Sequence, residues 1–161
     1  MNRLNENIPA GKSPKESETI MTEVVYPNDA NPMGMLHGGK LVQWMDTACA
    51  ICAQGHAEKV AATVLVDKML FKKPARVGDI ITIKAKMTRA FDTSMEVFVQ
   101  AWARKATSKD TYQINEAFFT FVALDDAAKP ALVPQIIPDD ALEQLHYEQA
   151  LVRKQERHNN K

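Results

Sequence analysis

Two side chains are isolated in positions where they could do chemistry. Asp46 is the one charged residue between Leu41 and Ala53, a stretch that is otherwise apolar, small or neutral. Asn31 lies 15 residues earlier, in a polar loop that leads towards that stretch. A carboxylate can activate water as a general base or attack as a nucleophile, and an amide can donate to a developing oxyanion. The sequence does not decide between these two roles of Asp46. The non-catalytic alternatives are that Asp46 is a salt-bridged aspartate on a helix and that Asn31 is an ordinary turn asparagine.

A glycine-rich turn stands between these two residues and contains His37, Gly38 and Gly39. Glycine lets a ligand approach the amide groups of a helix's first turn, where the helix dipole favours negative charge. We interpret the turn as one that positions the substrate or its oxyanion. His37 has no acidic neighbour in the sequence that could orient it as a base, so a positioning role is favoured for it as well.

Composition limits the classes of protein to which this chain can belong. Its 161 residues suit one domain, and 20 basic and 20 acidic residues cancel. The balance disfavours a nucleic-acid or membrane-surface protein. Cys49 and Cys52 have no second cysteine pair and are interpreted as buried, reduced thiols, while His56, His146 and His158 are interpreted as surface residues. With no signal peptide or membrane-spanning run, the sequence predicts a cytoplasmic protein.

The elements that must hold the candidate residues follow from hydrophobic periodicity and turn signals. The sequence predicts a flexible leader over residues 1–19, a main domain over 20–137, and a C-terminal helix and polar tail over 138–161. The predicted strands cover residues 19–26, 62–71, 81–88, 95–104 and 111–124, and the predicted helices cover about 38–53, ending near Gly55, and 141–155, capped by Asp139 or Asp140.

These elements predict an α+β fold in which one long helix crosses the concave face of a five-stranded antiparallel meander. The segment Ala62–Phe71 is apolar on both faces, which is typical of a central strand buried on both sides. Such a sheet leaves an edge and an outer face to cover, so the chain is expected to associate with copies of itself.

Four motifs together resemble those of the hotdog-fold acyl-CoA thioesterases, in the branch of short bacterial and brain-type cytosolic acyl-CoA hydrolases. They are N-x-x-G-x-x-H-G-G at Asn31–Gly39, W-M-D at Trp44–Asp46, F-K-K-P-A-R-V-G-D at Phe71–Asp79 and T-S-M-E-V at Thr93–Val97. The resemblance implies hydrolysis of fatty acyl-CoA to fatty acid and coenzyme A. It also implies Asn31 of one chain facing Asp46 of another across a dimer interface, and a hexamer built from three dimers.

A thioesterase of this kind must hold the phosphates of coenzyme A, which need basic side chains, hydroxyls or backbone amides. Arg89, Thr93, Ser94 and Arg104 are the candidate residues. Coenzyme A enters as part of the substrate, and neither a further cofactor nor a metal is expected. Nothing in the sequence indicates a nucleotide regulator.

Three other functions are alternatives to this one. A hotdog hydratase or dehydratase needs a His–carboxylate pair, and the helix offers Asp46 without a nearby His. A non-catalytic acyl-CoA sensor fused to a DNA-binding module is disfavoured by the short N-terminal segment. A thioesterase for aryl or short-chain acyl-CoA stays open, because the sequence does not set the depth of the acyl pocket.

Overall fold

The computed structural model describes residues 9–160. In chain order the main elements are β1 (Thr19–Val24), α1 (Gly38–Ala57), β2 (Val60–Phe71), β3 (Ile80–Ala90), β4 (Ser94–Arg104), β5 (Tyr112–Leu124) and α2 (Ala141–Asn159). The predicted α+β fold, a five-stranded antiparallel sheet around one long helix with a second helix at the C-terminus, is confirmed.

The main core lies between α1 and the face of the sheet that α1 covers, called the inner face below. Met45, Ala48 and Cys49 of α1 are fully buried, as are alternate residues of the strands such as Ile81 and Ile83. The period of two in the strands places these side chains on one face. α1 runs to Ala57, beyond its predicted end at Gly55, and Glu58 caps it in the left-handed conformation at φ 53°.

The sheet order is β1-β3-β4-β5-β2, so only β3, β4 and β5 form the predicted meander. The prediction that Ala62–Phe71 is a central strand is wrong, because within residues 9–160 β2 pairs with β5 alone and forms an edge. Its side chains are apolar on both faces and largely open in the single chain: Leu70 is 55% exposed and Phe71 is 60% exposed. A strand that is apolar on both faces is usually buried on both faces. Within the described part of one chain nothing covers the free side of β2, so this strand is left exposed.

Helix α2 packs on the opposite, outer face of the sheet and is held there by a buried ion pair. Glu96 of β4 is 1% exposed, and its carboxylate accepts hydrogen bonds from Arg153 Nε (3.1 Å) and Nη2 (2.7 Å). Thr88 Oγ1 donates to the same carboxylate at 2.6 Å. Asp140 caps α2 by accepting from the Glu143 amide, as predicted, although the helix extends four residues beyond its predicted end.

Part of the predicted leader contacts the body of the protein. Residues 1–8 lie outside the described residues, whereas Lys12 pairs with Ile136 in an isolated bridge and its Nζ donates to the His56 carbonyl at 2.9 Å. Ser17 is buried. From Lys12 onwards, therefore, this segment closes the C-terminal end of α1.

Candidate active site

The loop that carries Asn31 is folded back on itself. The Asn31 amide donates to the Met35 carbonyl at 2.8 Å, and the Gly34 amide donates to the Asn31 carbonyl at 2.9 Å. Side-chain Oδ1 of Asn31 accepts from the amides of Met33 (3.0 Å) and Met35 (3.1 Å). The carbonyl oxygen of the Asn31 side chain is therefore used for hydrogen bonds within the loop. The Nδ2 group, which has no acceptor among the described residues, is left as a free donor.

The first turn of α1 offers further donors. His37 is the N-cap residue, but its exposed side chain makes no capping hydrogen bond. The amides of Gly38 and Gly39 have no acceptor in the helix, as is usual for a first turn. A Cβ atom on Gly38 would lie 3.2 Å from the Phe71 ring, so glycine allows β2 and α1 to approach closely here.

A cavity of about 330 Å³ joins these two features, because Asn31 and Gly38 both line it. Its other walls include the apolar side chains of Leu41, Phe71 and Ile114. The cavity therefore combines hydrogen-bond donors with an apolar lining. The structure brings Asn31 and the glycine turn together as the sequence suggested.

Asp46 lies elsewhere in the single chain. It is half-buried on α1, and its Oδ1 accepts a hydrogen bond from Thr63 Oγ1 of β2 at 2.7 Å. Eight residues of helix separate it from Gly38, or about 12 Å along the axis, and it does not line the cavity around Asn31. One chain alone thus places the two candidate catalytic residues near opposite ends of β2.

Thr63 is a residue that sequence reasoning missed. It is the hydroxyl side chain in an otherwise apolar run, A-T-V-L-V, and it lies on the inner face opposite buried Phe121. A single polar residue on the helix-facing side of an apolar strand was the signal that could have found it. Its contact with Asp46 joins residues 17 positions apart.

The candidate coenzyme A residues fall into two groups. Arg89 stacks on the Tyr147 ring at 4.0 Å and donates to the Tyr147 carbonyl at 3.2 Å, so α2 already engages it. Thr93 and Ser94 are half-buried nearby, and Ser94 lines an open cavity of about 560 Å³.

Arg104 lies at the other end of β4 and donates to three backbone carbonyls of the turn that follows it. The length of β4, about 3.3 Å per residue over 11 residues, separates it from Ser94. One chain does not bring Arg104 together with the other three candidates.

The three histidines interpreted as surface residues differ in burial. The interpretation of His56 as a surface residue is wrong: it is 1% exposed, with Nε2 2.7 Å from the Pro134 carbonyl, and burial lowers its pKa. His146 is half-buried and packs edge-on against Phe98, whereas His158 is exposed.

Both cysteines are free and buried. Burial raises the pKa of the Cys52 thiol to about 11 and also raises that of Cys49, so neither is a ready nucleophile. Among residues 9–160, no group of three or more His, Cys, Asp or Glu side chains is placed to hold a metal ion. No helix in this part of the chain is long and apolar enough to cross a bilayer.

Comparison with known proteins gives consistent matches. A family model described as Thioesterase superfamily matches residues 33–108. A Bacillus subtilis protein named as an uncharacterized acyl-CoA thioester hydrolase, YkhA, is 33% identical over 147 residues, which is 91% of this chain and 86% of that protein. The crystal structure of an apo-hexameric acyl-CoA thioesterase superposes with a TM-score of 0.91 at 34% identity, covering 94% of this chain and 97% of the other.

An acyl-CoA hydrolase from Staphylococcus aureus has been solved with butyryl coenzyme A and coenzyme A. It has a TM-score of 0.86 and 34% identity, with 92% of this chain and 91% of that chain covered. Structures of that hydrolase also exist with alanine in place of one asparagine, one aspartate and one threonine. In that enzyme the aspartate follows the asparagine by 15 residues and the threonine follows the aspartate by 17. Asn31, Asp46 and Thr63 have the same two spacings.

Proposed function

Because the chain belongs to the Thioesterase superfamily, we propose that it is an acyl-CoA thioester hydrolase in which two subunits build each active site. The observation that carries this proposal is that Asp46 of α1 contacts Thr63 on an open edge strand, away from the cavity that Asn31 lines. The two halves of a hydrolytic site are both present, and a second copy of the chain is what brings them together.

Antiparallel pairing of two β2 strands would bring the Asn31 cavity of one chain next to Asp46 of the other. In such a pair, related by a two-fold axis, a residue near the start of one strand lies opposite a residue near the end of the other. Pairing about Asp67 sets Thr63 of one chain opposite Phe71 of the other. Since Phe71 lines the Asn31 cavity and Thr63 holds Asp46, each cavity then receives the acid of the other chain.

The surface of β2 supports the same arrangement. Its exposed apolar side chains occur on both faces, so pairing extends the sheet and covers them at once; they are Val60, Val64, Leu65, Val66, Leu70 and Phe71. Each such side chain contributes about 1.5–3 kcal/mol when it is fully buried. A free apolar edge of this length otherwise promotes aggregation.

The chemistry follows from the donors and the acid. The thioester carbonyl oxygen binds against Asn31 Nδ2 and the Gly38 and Gly39 amides, and His37 helps to position the turn. One such donor is worth about 2.7–4 kcal/mol in the barrier. Asp46, oriented by Thr63, either removes a proton from the attacking water or attacks the carbonyl carbon itself to give an anhydride that water then opens. In both routes the C–S bond breaks, the coenzyme A thiolate takes up a proton, and a free carboxylic acid leaves.

Further parts of the proposal concern assembly and substrate. We place Arg89, Thr93 and Ser94 near the coenzyme A phosphates, with Arg104, at the far end of β4, serving a different subunit's site. The assembly is a hexamer of three dimers, as the hexameric neighbour supports. The reaction uses water and no separate cofactor. The buried thiols favour a cytoplasmic location.

The test mixes two inactive variants, Asn31→Ala and Asp46→Ala, and measures coenzyme A release with a thiol reagent across a series of acyl lengths. Each mixed dimer regains one intact site of two, and half of the dimers are mixed, so about a quarter of the wild-type activity returns. Absence of recovery after confirmed subunit exchange would mean that the two residues act within one chain. Single-turnover hydrolysis in H₂¹⁸O tests the nucleophilic route, because ¹⁸O enters Asp46 when water opens the anhydride at the Asp46 carbonyl, and the product acid then carries unlabelled oxygen.

A further inference from the structure

One buried side chain on the inner face lacks any hydrogen-bond partner. Asn115 of β5 is 0% exposed, and neither its Nδ2 nor its Oδ1 has a partner among the described residues. Buried amides are nearly always bonded, because an unsatisfied group costs about 1–3 kcal/mol. An alanine or valine at this position would carry no such cost. The amide therefore indicates a hydrogen-bond partner that is not among the described residues.

The ladder fixes where this amide lies. Asn115 pairs with Phe71 of β2 on one side and with Ala101 of β4 on the other. Residues that pair directly across an antiparallel ladder point to the same face. The Phe71 ring meets Gly38 at the start of α1, so Asn115 also points to the inner face, under the first turn of α1.

This position is directly behind the cavity that Asn31 and Gly38 line. Phe71, the cross-strand neighbour of Asn115, and Ile114, its chain neighbour, both line the cavity of about 330 Å³ that holds Asn31. The side chains of Phe71 and Ile114 therefore lie between Asn115 and a group bound in the cavity. Phe71 is the last residue of β2, so a turn of its ring about χ1 is the movement that opens Asn115 to a group bound in the cavity.

We propose that Asn115 is a specificity residue that hydrogen-bonds an oxygen on the acyl group of the substrate. The proposal rests on the thioesterase function proposed above. The enzyme accordingly prefers acyl-CoA with an oxo or hydroxyl group near the thioester to the saturated chain of equal length. A saturated chain leaves the amide unpaired, and sites built to bond a substrate oxygen reject analogues that lack it.

The chemistry of the amide narrows the substrate class. Nδ2 donates to an oxo group, and a hydroxyl group can use both Nδ2 and Oδ1. Neither polar atom of the amide carries a charge, so a second carboxylate on the acyl chain gains no ion pair from Asn115 and is disfavoured beside it.

The experiment compares kcat/KM for butanoyl-CoA with that for 3-oxobutanoyl-CoA and 3-hydroxybutanoyl-CoA. Asn115→Leu, which keeps the volume and removes the polar atoms, is expected to lower the preference for the oxygen-bearing substrates at least about 10-fold. Asn115→Thr, which keeps a hydroxyl, is expected to retain part of it. Gln100→Leu is the matched control, a half-buried amide on the outer face of neighbouring β4 that leaves the ratio unchanged.

An unchanged ratio in Asn115→Leu, with butanoyl-CoA still hydrolysed, overturns the proposal and leaves the thioesterase function intact. Failure of the wild type to hydrolyse any acyl-CoA overturns the proposed function instead. If Asn115→Leu does not fold, thermal shifts of the inactive Asp46→Ala protein give the answer. Greater stabilisation by 3-hydroxybutanoyl-CoA than by butanoyl-CoA supports the proposal, and equal stabilisation contradicts it.

Discussion

Two buried polar side chains, one on each face of the sheet, differ in how their hydrogen bonds are completed. Glu96 on the outer face is 1% exposed and is satisfied by Thr88 and Arg153 within the same chain. Asn115, on the next strand and the inner face, is equally buried and has no partner in residues 9–160. The comparison indicates that the Glu96 carboxylate is completed within one chain, whereas Asn115 and the β2 edge are where we expect a substrate and a second chain to bind.

The same contrast holds for charges at the edge of the sheet. On the outer side, Asp67 of β2 pairs with Arg157 of α2 at 3.2 Å. On the inner side of the same strand, Thr63 gives Asp46 one hydrogen bond and leaves the second carboxylate oxygen available. Substituting the outer polar pairs is therefore expected to lower stability, and substituting the inner polar groups to lower activity. The predictions below begin with these two groups.

The largest effect is expected from Asp46→Ala. Loss of the acid should lower kcat by up to about 10⁴-fold, or about 5.5 kcal/mol in the barrier. The midpoint of chemical unfolding and the oligomeric state should stay close to those of the wild type, because Asp46 makes one side-chain hydrogen bond. Activity is followed by coenzyme A release and stability by denaturant unfolding. A variant that keeps near-normal kcat removes Asp46 from the chemistry.

Glu96→Ala should give the opposite result. Removing the carboxylate leaves Arg153, 11% exposed in its side chain, without its bidentate partner. Breaking a buried pair in this way typically costs about 3–5 kcal/mol of unfolding free energy. The value of kcat per folded molecule should change little.

The double variant Glu96→Leu, Arg153→Met serves as the control. It should recover much of the stability, since apolar replacements remove both charges together. A fall in kcat comparable to that of Asp46→Ala, without loss of stability, would break the division between the faces.

The β2 edge gives a third prediction, measured by sedimentation. Val66 is 40% exposed on β2 and Val152 is 51% exposed on α2, so the two valines are matched in type and openness. Val66→Lys should raise the dimer dissociation constant at least about 10- to 100-fold, because a charged side chain replaces one that pairing buries. Val152→Lys should leave the dimer intact. The reverse outcome would move the dimer interface from β2 to α2.

The smallest effect is expected from pH, through His56 in the last turn of α1. Burial holds its folded pKa below the ordinary value of 6.5, so the unfolded chain binds the proton more readily. Its contribution to stability is complete above pH 6.5 and is lost as the pH falls from there towards the folded pKa. His56→Gln should flatten this acid loss in thermal unfolding curves between pH 7.5 and 5. The exposed His158→Gln should reproduce the wild-type curve, and a flat wild-type curve would contradict the prediction.

Local patterns in the sequence predicted most of the fold. The alternation of Ile81, Ile83 and Ala85 identified the inner face of β3, and the run after Gly38 identified α1. Asp46 was recognisable because it is a lone carboxylate in an apolar helix. These signals lie within about ten residues, where backbone period and residue type decide the structure.

The remaining features depend on contacts between distant parts of the chain. The apolar run of β2 is the same for a central strand and for an edge that another chain covers, so its place in the sheet was predicted incorrectly. Thr63 became visible through its contact with Asp46, and the Glu96–Arg153 pair joins residues 57 positions apart. The sequence indicated an exposed, polar His56, but its ring is buried because the Pro134 carbonyl, 78 positions away, provides a hydrogen-bond partner inside the protein.

The position of β2 in the sheet has a consequence for synthesis on the ribosome. Its neighbour β5 begins at Tyr112, which is made about 40 residues after Phe71. At about 5–20 residues per second, β2 emerges about 2–8 s before its partner exists. During that interval the nascent chain carries an unpaired apolar segment, so slower translation between residues 72 and 111 lengthens the time in which growing chains can aggregate with one another.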